Sequence, residues 1–404
     1  MHRILYFHHG GAIGGAPLSL LFLLQKLDRS QYEPVVVTTR PGPVRDLYRQ
    51  NGIEVHLADD LAGRIDDFSH TTLEWYHLGY LWPLPGRLLR FSASVNHARA
   101  IIRRFQPDLI HLNSSTLAVA AIAAQRMGIP SVWHIREPLA QGYFGLRRTW
   151  LRRLIDGADR IVAISDYDAS MLIPSDRIRV IYNFVDFTYF DRHLSGAGIH
   201  AEFNLPPEAR IILMLGGVAA PKGTEILVRA LPRILERHPN VYVLIAGPAP
   251  LGSQGGLIKK LLRVDAYQEQ VLNTLSSIHG SDHLIFTGVR SDIPRLLAAS
   301  EMLVFPSIVP HFARPVIEAA AMAKPAVASN LGGPAELIID GETGLLVQPN
   351  QPDALADAIT RLLDDPELAA TMGEAGYLRA MRLFNAERNA AETLAIYEEL
   401  LGGQ

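Results

Sequence analysis

The chain has 404 residues, 48% hydrophobic and 20% charged, with a formal net charge of −3 and no cysteine. A single core rarely grows past ~250–300 residues, so the length predicts two domains, and the composition supplies apolar mass for two cores. The absence of cysteine excludes disulfides, thiolate metal ligands and cysteine nucleophiles, and the slightly negative charge argues against a dedicated nucleic-acid binder.

The opening MHRILYFHHGG lacks the long apolar core of a signal peptide, and no run reaches the ~18 consecutive apolar residues of a spanning helix. A cytoplasmic protein, at most peripheral to the inner face of a membrane, is expected. Residues 1–190 carry 21 basic and 17 acidic side chains, the remainder 17 and 24. Lys26 is the only lysine in the first group. Arginine suits bidentate phosphate contacts, although ordinary surface charge reads the same way.

In chain order, RILYF, PVVVTT, IEVHL, DLIHL, SVWHI and RIVAI read as buried strands in the first half. IILMLG, VYVLIAG, LIFTG, MLVFPS and PAVAS do so in the second. Segments of helical period lie between them, among them 17–27, 98–105 and 224–236. Continuous apolar strands alternating with helices predict parallel sheets covered on both faces. The pattern restarts near Ile211 after a polar stretch. The expected organisation is therefore an N-terminal α/β domain over 1–190, a linker over 191–210, and a second α/β domain over 211–385, with helical pattern from about Pro352 onward. Residues 68–104 fit less well. They are basic and aromatic, with Trp75, Tyr76, Tyr80, Trp82, Arg87, Arg90 and Phe91. Arg147, Arg148, Arg152 and Arg153 follow beside Trp150. Such a surface suits a bilayer interface or a lipid-linked acceptor, and equally a solvated helix face. The glycine- and proline-rich 247–256 reads as a loop insertion.

Three places could carry chemistry. After the first strand, HHGGAIGGAP puts Gly14 and Gly15 at a strand-to-helix turn, where backbone N–H groups can approach a phosphate. The spacing is not G-x-G-x-x-G, so a dinucleotide fingerprint is not met. LGGVAAPKGTEIL repeats the device in the second half with Gly216, Gly217, Lys222 and Gly223. A fixed cation there would offset charge growing on a diphosphate leaving group. In PSIVPHFARPVIEA a loop bearing His311 and Arg314 leads into a helix near Pro315. Glu318 then lies near the helix start. It could accept hydrogen bonds from two vicinal ribose hydroxyls, or act only as a dipole partner worth about 0.3–1 kcal/mol. Asp59-Asp60 and Asp66-Asp67 read as solvated loop acids.

Taken in order, these segments resemble the retaining glycosyltransferases of family 4. The shared features are the GG loop after the first strand, VWHIREP with His134, ADRIVAIS, VIYNFVD with Asn183 and Asp186, the K-G element at Lys222, FTGVRSDI, the Glu318 helix, Gly332-Gly333 with Glu336, and GETGLLV. The resemblance implies the GT-B architecture, an α/β fold of two Rossmann-like doubly wound parallel-sheet domains facing across a cleft. The C-terminal helix, about 386–404, would pack back onto the first domain. It implies metal-independent sugar transfer, without a cofactor, from a nucleoside-diphosphate sugar to a hydroxyl acceptor on a glycan or lipid-linked precursor. By the same resemblance, Lys222 and Arg314 face the diphosphate, Gly216 and Gly217 line its loop, Glu318 holds the ribose, and the Val289 backbone borders the base. Gly14 and Gly15 face the phosphates or acceptor, and His134 borders the sugar, though a histidine on an apolar strand is also readable as structural. Two positions depart from the family. Pro310 stands where a first glutamate is usual, and Gly217 where an arginine is usual. His311 could take over a sugar contact. The departures keep a non-catalytic nucleotide-binding relative open, and a sugar-nucleotide epimerase of the same architecture is the other alternative.

Overall fold

The computed structural model describes residues 1–11, 14–66, 84–139, 145–249 and 266–402. The chain forms two compact units, Met1–Asn183 with Ala386–Gln404, and Phe184–Asn385.

The first unit holds β1 (His2–His8), β2 (Tyr32–Thr38), β3 (Glu54–Leu57), β4 (Leu109–Leu112), β5 (Ser131–Ile135), β6 (Arg160–Ala163) and β7 (Ile178–Val180). They form one parallel sheet in the order β3-β2-β1-β4-β5-β6-β7. Successive strand side chains point to opposite faces, so both faces must be covered when a run is apolar throughout. In β1, Leu5 and Phe7 join Ala98, Ile101 and Val119 from the helices Leu84–Phe105 and Ala118–Met127. Ile4 and Tyr6 point the other way, to Leu20 and Leu24 of the helix Gly15–Gln25 and to Ile396 and Tyr397. Those last two belong to the C-terminal helix Ala386–Leu401, which is therefore part of the first unit's core. Tyr397 also ties that helix to the sheet by a 2.7 Å hydrogen bond between its hydroxyl and His111 Nδ1.

The second unit holds β8 (Arg210–Leu215), β9 (Val241–Ala246), β10 (Leu284–Gly288), β11 (Met302–Phe305), β12 (Ala326–Ser329) and β13 (Gly344–Val347). Their order is β10-β9-β8-β11-β12-β13, again all parallel. Ile212, Met214, Val243 and Ile245 pack on the helices Thr224–Arg237 and Pro352–Asp364. In each sheet the winding reverses beside the first strand, between β1 and β4 and between β8 and β11. Ligands of doubly wound sheets bind outside the carboxyl ends of the strands at such a reversal.

Several expectations are corrected. Residues 191–210 are not a free linker but part of the second unit. They carry the short helix Ile199–Glu202, Glu202 pairs with Arg290 and Arg295, and Arg192 lies 4.2 Å over the Tyr377 ring. The polar composition there reflects ion pairing within the unit, and the division falls at Asn183–Phe184 rather than at 190. Asp59 and Asp60 lie in the helix Ala58–Leu61, and Asp66 is buried with Arg64 Nε 3.1 Å away, so these are not simply loop acids. The edge strands β7 and β13 were absent from the strands read by periodicity.

Asp67, Trp75, Tyr76, Tyr80, Trp82 and the Arg87 side chain lie outside the described residues, as does 250–256 of the expected loop insertion. In the described part of the basic aromatic region, Phe91 meets Trp150 edge-on at 6.4 Å. Arg147 is buried, while Arg148 and Arg152 donate to the carbonyls of Leu139 and Leu172. The outward basic surface is thus smaller than the sequence implies. Among the described residues no helix is long and apolar enough to cross a membrane.

Candidate functional site

The carboxyl edge of the second sheet collects most of the singled-out residues. β8 ends in Gly216 (φ 117°) and Gly217 (φ 67°), both in the left-handed half of backbone space that glycine tolerates. Their N–H groups donate to the Ala246 carbonyl at 2.8 and 3.0 Å. The two glycines therefore make room rather than offer free donors. A Cβ on Gly217 would stand 2.5 Å from the Pro248 carbonyl oxygen, and one on Gly216 would stand 3.1 Å from the Lys222 side chain. An arginine at 217 would collide with the β9 loop as it runs here, so the departure from the family fits the local backbone.

Lys222 ends a 3-10 turn, Ala220–Lys222, and folds back across Gly216. Its Nζ lies 3.0 Å from His311 Nε2 and 5.3 Å from the centroid of the Phe305 ring. Among the described residues it has no carboxylate partner. Burial pushes its pKa down. A sequestered ammonium without an anion costs free energy unless a ligand supplies the charge.

His311 Nδ1 lies 2.9 Å from the Val309 carbonyl oxygen, which fixes the proton on Nδ1 and leaves the Nε2 lone pair toward Lys222. Burial, then the neighbouring Lys222 charge, lowers its pKa to about 4. The loop is braced from behind. Gly333 N donates to the His311 carbonyl at 3.1 Å, and a Cβ on Gly332 would stand 2.7 Å from Pro310. Ala313, just before the helix Arg314–Ala321, holds φ 58°, a strained value for a residue with a Cβ.

Glu318 lies one turn into that helix. Burial raises its carboxyl pKa, opposed by the Arg314 charge. It accepts no hydrogen bond among the described residues. Arg314 does not offer all its donors outward, since Nη1 donates to the Phe184 carbonyl at 3.0 Å. Val289 is 79% exposed just after β10, and its loop is tied by side-chain bonds. Arg290 pairs with both oxygens of Asp292 at 2.8 Å, and the Tyr189 hydroxyl donates to the Ser291 carbonyl.

In the first unit, Gly14 and Gly15 are exposed at the start of the helix Gly15–Gln25. His134 is only 3% exposed, on β5, with its ring 5.3 Å from that of His111. Among the described residues neither ring nitrogen has a hydrogen-bond partner, and burial, then the Arg136 charge, holds its pKa well below 6.5. It is a neutral imidazole.

Sequence reasoning missed the network beside it. Arg136 Nε and Nη1 donate to Asn113 Oδ1 at 2.9 Å and Asn183 Oδ1 at 2.8 Å. Asn113 Nδ2 reaches His8 Nδ1 at 3.0 Å, and Glu137 accepts from Ser115 N at 2.8 Å and Ser115 Oγ at 2.7 Å. His8 ends β1, Asn113 and Ser115 follow β4, Arg136 and Glu137 follow β5, and Asn183 follows β7, so the network spans the reversal. The available signal was a run of polar residues, HLNSST and HIREP, interrupting apolar strands at their carboxyl ends. Asp166-Tyr167-Asp168 has D-x-D spacing, but Ser165 Oγ accepts from Asp168 N and donates to its carboxylate at 2.6 Å, a helix cap.

Two doubly wound parallel sheets, each with polar residues gathered at its reversal, define a two-domain Rossmann-like enzyme of GT-B architecture. The match to known proteins agrees. Residues 13–189 match Glycosyltransferase Family 4, and residues 198–379 match Glycosyl transferases group 1. The chain belongs to the family 4 glycosyltransferases. It is 28% identical over 340 residues to D-inositol 3-phosphate glycosyltransferase of Nocardioides sp., covering 78% of this chain and 72% of that one. It is 29% identical over 342 residues to the protein of the same name in Acidothermus cellulolyticus, covering 79% and 73%. In structure it is similar to a glycosyltransferase from Rickettsia africae, with a TM-score of 0.79 at 21% identity over 100% and 99% of the two chains. It is also similar to Anabaena HepE solved with UDP-glucose, with a TM-score of 0.74 at 23% identity over 98% and 100%.

Proposed function

We propose that this glycosyltransferase moves a sugar from a nucleoside-diphosphate sugar to a hydroxyl acceptor with retained anomeric configuration, without a metal ion. The observation that carries this reading is the pair of charges left open at the second sheet's reversal. Among the described residues Lys222 has no carboxylate partner, and Glu318, beside the Arg314 charge, accepts no hydrogen bond. A nucleoside diphosphate supplies both missing partners, the diphosphate to Lys222 and the ribose diol to Glu318. The tied loop at Val289 borders the base.

During transfer the bond from the anomeric carbon to the diphosphate oxygen breaks, and a bond to the acceptor oxygen forms on the same face. The acceptor proton leaves with the diphosphate. Charge accumulates on the leaving group, so a fixed ammonium is worth more in the transition state than in the ground state. In the first unit, His134, whose ring nitrogens have no partner among the described residues, can border the sugar or acceptor as a neutral donor and acceptor.

HepE was solved with UDP-glucose, and the Nocardioides relative is named for an inositol phosphate acceptor. Both names fit a uridine-linked donor and a polyhydroxyl acceptor here. A role in cell-surface glycan synthesis at the inner face of the membrane rests on exposed Leu88, Leu89 and Leu146 near exposed Arg90 and Arg153.

The test is consumption of UDP-, GDP- and ADP-sugars with and without a panel of hydroxyl acceptors, in the presence of a metal chelator. Free nucleoside diphosphate released only with acceptor supports transfer, and the anomeric proton coupling of the product reads retention. A new nucleotide sugar without release would indicate epimerisation. Binding without turnover would make the chain a nucleotide-binding relative. Lys222→Ala and Glu318→Ala that left donor binding unchanged would misplace the site.

A further inference from the structure

The Lys222–His311 contact has a built-in polarity. Val309 offers a carbonyl to His311 Nδ1–H, and His311 Nε2 in turn offers a lone pair to the lysine at 3.0 Å. The ring cannot reverse this order without losing the 2.9 Å bond to the Val309 carbonyl. Both side chains also lie against Phe305, the last residue of β11, with Lys222 Nζ 5.3 Å over its ring and the His311 ring 5.2 Å away and tilted. Gly216 leaves the space in which the lysine stem lies, and Gly333 fixes the His311 backbone. One of the three ammonium protons is therefore committed to a neutral acceptor, and two remain.

The choice of acceptor matters. A carboxylate in this place would hold the lysine more firmly but cancel its charge and repel a diphosphate. An apolar side chain would leave the buried ammonium without support and favour its neutral form. An imidazole acceptor does neither.

We propose that His311 is a positioning residue for the donor site: its Nε2 lone pair holds the Lys222 ammonium in place at the carboxyl ends of β8 and β11 while leaving the lysine's charge for the ligand. This rests on the donor reading above and differs from a direct sugar contact by His311. The low pKa of His311, about 4, agrees, because the ring keeps its lone pair at neutral pH.

Three variants separate the possibilities. His311→Gln places an amide oxygen near the Nε2 position, His311→Phe keeps a ring without an acceptor, and His311→Glu supplies a carboxylate. Two measurements are made on each. The first is competitive acetylation of Lys222 in ligand-free protein as a function of pH, read by mass spectrometry, which reports the lysine's own ionisation. The second is calorimetric titration with UDP and with UDP-glucose.

The expected pattern is an apparent Lys222 pKa that falls in the Phe variant, stays near wild type in Gln, and rises in Glu. UDP binding should weaken about 10-fold in Phe and more in Glu, with Gln within about 3-fold of wild type, as loss of one supporting hydrogen bond to a charged group implies. UDP and UDP-glucose should weaken together.

A Lys222 titration indifferent to all three substitutions would overturn the proposal. So would a Phe variant that binds UDP normally and loses only the preference for the glucose, which would make His311 a sugar contact. If wild type binds neither nucleotide, the donor reading fails on its own, and the acetylation profile still decides whether His311 holds the lysine. If the Phe variant does not fold, the Gln and Glu profiles make the same distinction.

Discussion

Replacing Lys222 with methionine should weaken nucleotide binding while leaving the empty protein's stability nearly unchanged. Methionine keeps an unbranched stem that can lie across Gly216 and removes only the ammonium. A hydrogen bond to a charged group is worth about 1.5–3 kcal/mol, so donor affinity should fall roughly 10- to 150-fold. The stability side runs the other way. Burial lowers the Lys222 pKa, so the unfolded chain holds that proton more tightly than the folded one. The resulting penalty is present in full below the folded pKa and is relieved as pH rises toward the unfolded value. At neutral pH the methionine variant escapes it. Against that gain stand the lost bond to His311 and the lysine's attraction to the Phe305 ring, the latter worth about 0.5–1 kcal/mol. The net change in unfolding free energy should stay within about 1 kcal/mol, since these contributions are of similar size and opposite sign. Urea unfolding at pH 7.5 with and without UDP, together with calorimetry, reads both quantities. At 100 times its Kd a ligand stabilises by about 2.7 kcal/mol, and the variant should lose most of that at the same UDP concentration. A variant that binds UDP as wild type does, or that loses more than about 3 kcal/mol when empty, would show that Lys222 serves the fold rather than the ligand.

Ala313→Gly relieves a left-handed residue at φ 58°. Against a strain of about 1–2 kcal/mol stands the extra unfolded-state freedom of glycine, about 0.4–1 kcal/mol, so a net stabilisation of roughly 0.5–1 kcal/mol is expected in the urea midpoint. Tyr397→Phe removes the buried hydrogen bond to His111 and should cost about 1–2 kcal/mol, and a neutral result would mean that water or a shifted neighbour replaces it. Burial holds His8, His111 and His134 well below pKa 6.5 and His311 at about 4. The unfolded chain therefore takes up protons first, and the histidine contribution to stability should be level above pH 7 and fall as pH drops from about 6.5 toward 4. Denaturant midpoints across pH 8 to 4.5 check this, and a flat profile would mean that these rings are hydrated.

What could be read from the sequence divides along a physical line. Strands such as VYVLIA and RILYF declare themselves because both of their faces are covered, which forces an unbroken apolar run. β7 is three residues long and only half-buried, and β13 is four residues long and opens on a glycine, so Ile178-Arg179-Val180 and Gly344–Val347 are too short to give a periodic signal. Glycine spacing marked where each sheet's first strand ends, but not what the glycines do. Gly216 and Gly217 spend their N–H groups on Ala246, and the space they leave is taken by a lysine stem and the β9 loop. Long-range polar pairings lie further from reach. Arg136, Asn113 and Asn183 are separated by tens of residues and meet only because β4, β5 and β7 run parallel in one sheet and end at the same edge. His311 shows the same limit within one short loop. The sequence marks it only as the neighbour of a missing glutamate, whereas its partner, Lys222, lies 89 positions earlier. Pro310 packs flush against Gly332, a contact that a longer side chain would disturb unless the loop moved. The absent acidic residue and the histidine acceptor therefore act through the same short loop. Pro310→Glu, made alone and together with His311→Gln, should expose that coupling as a non-additive change in donor affinity, and strictly additive effects would mean that the two positions act independently.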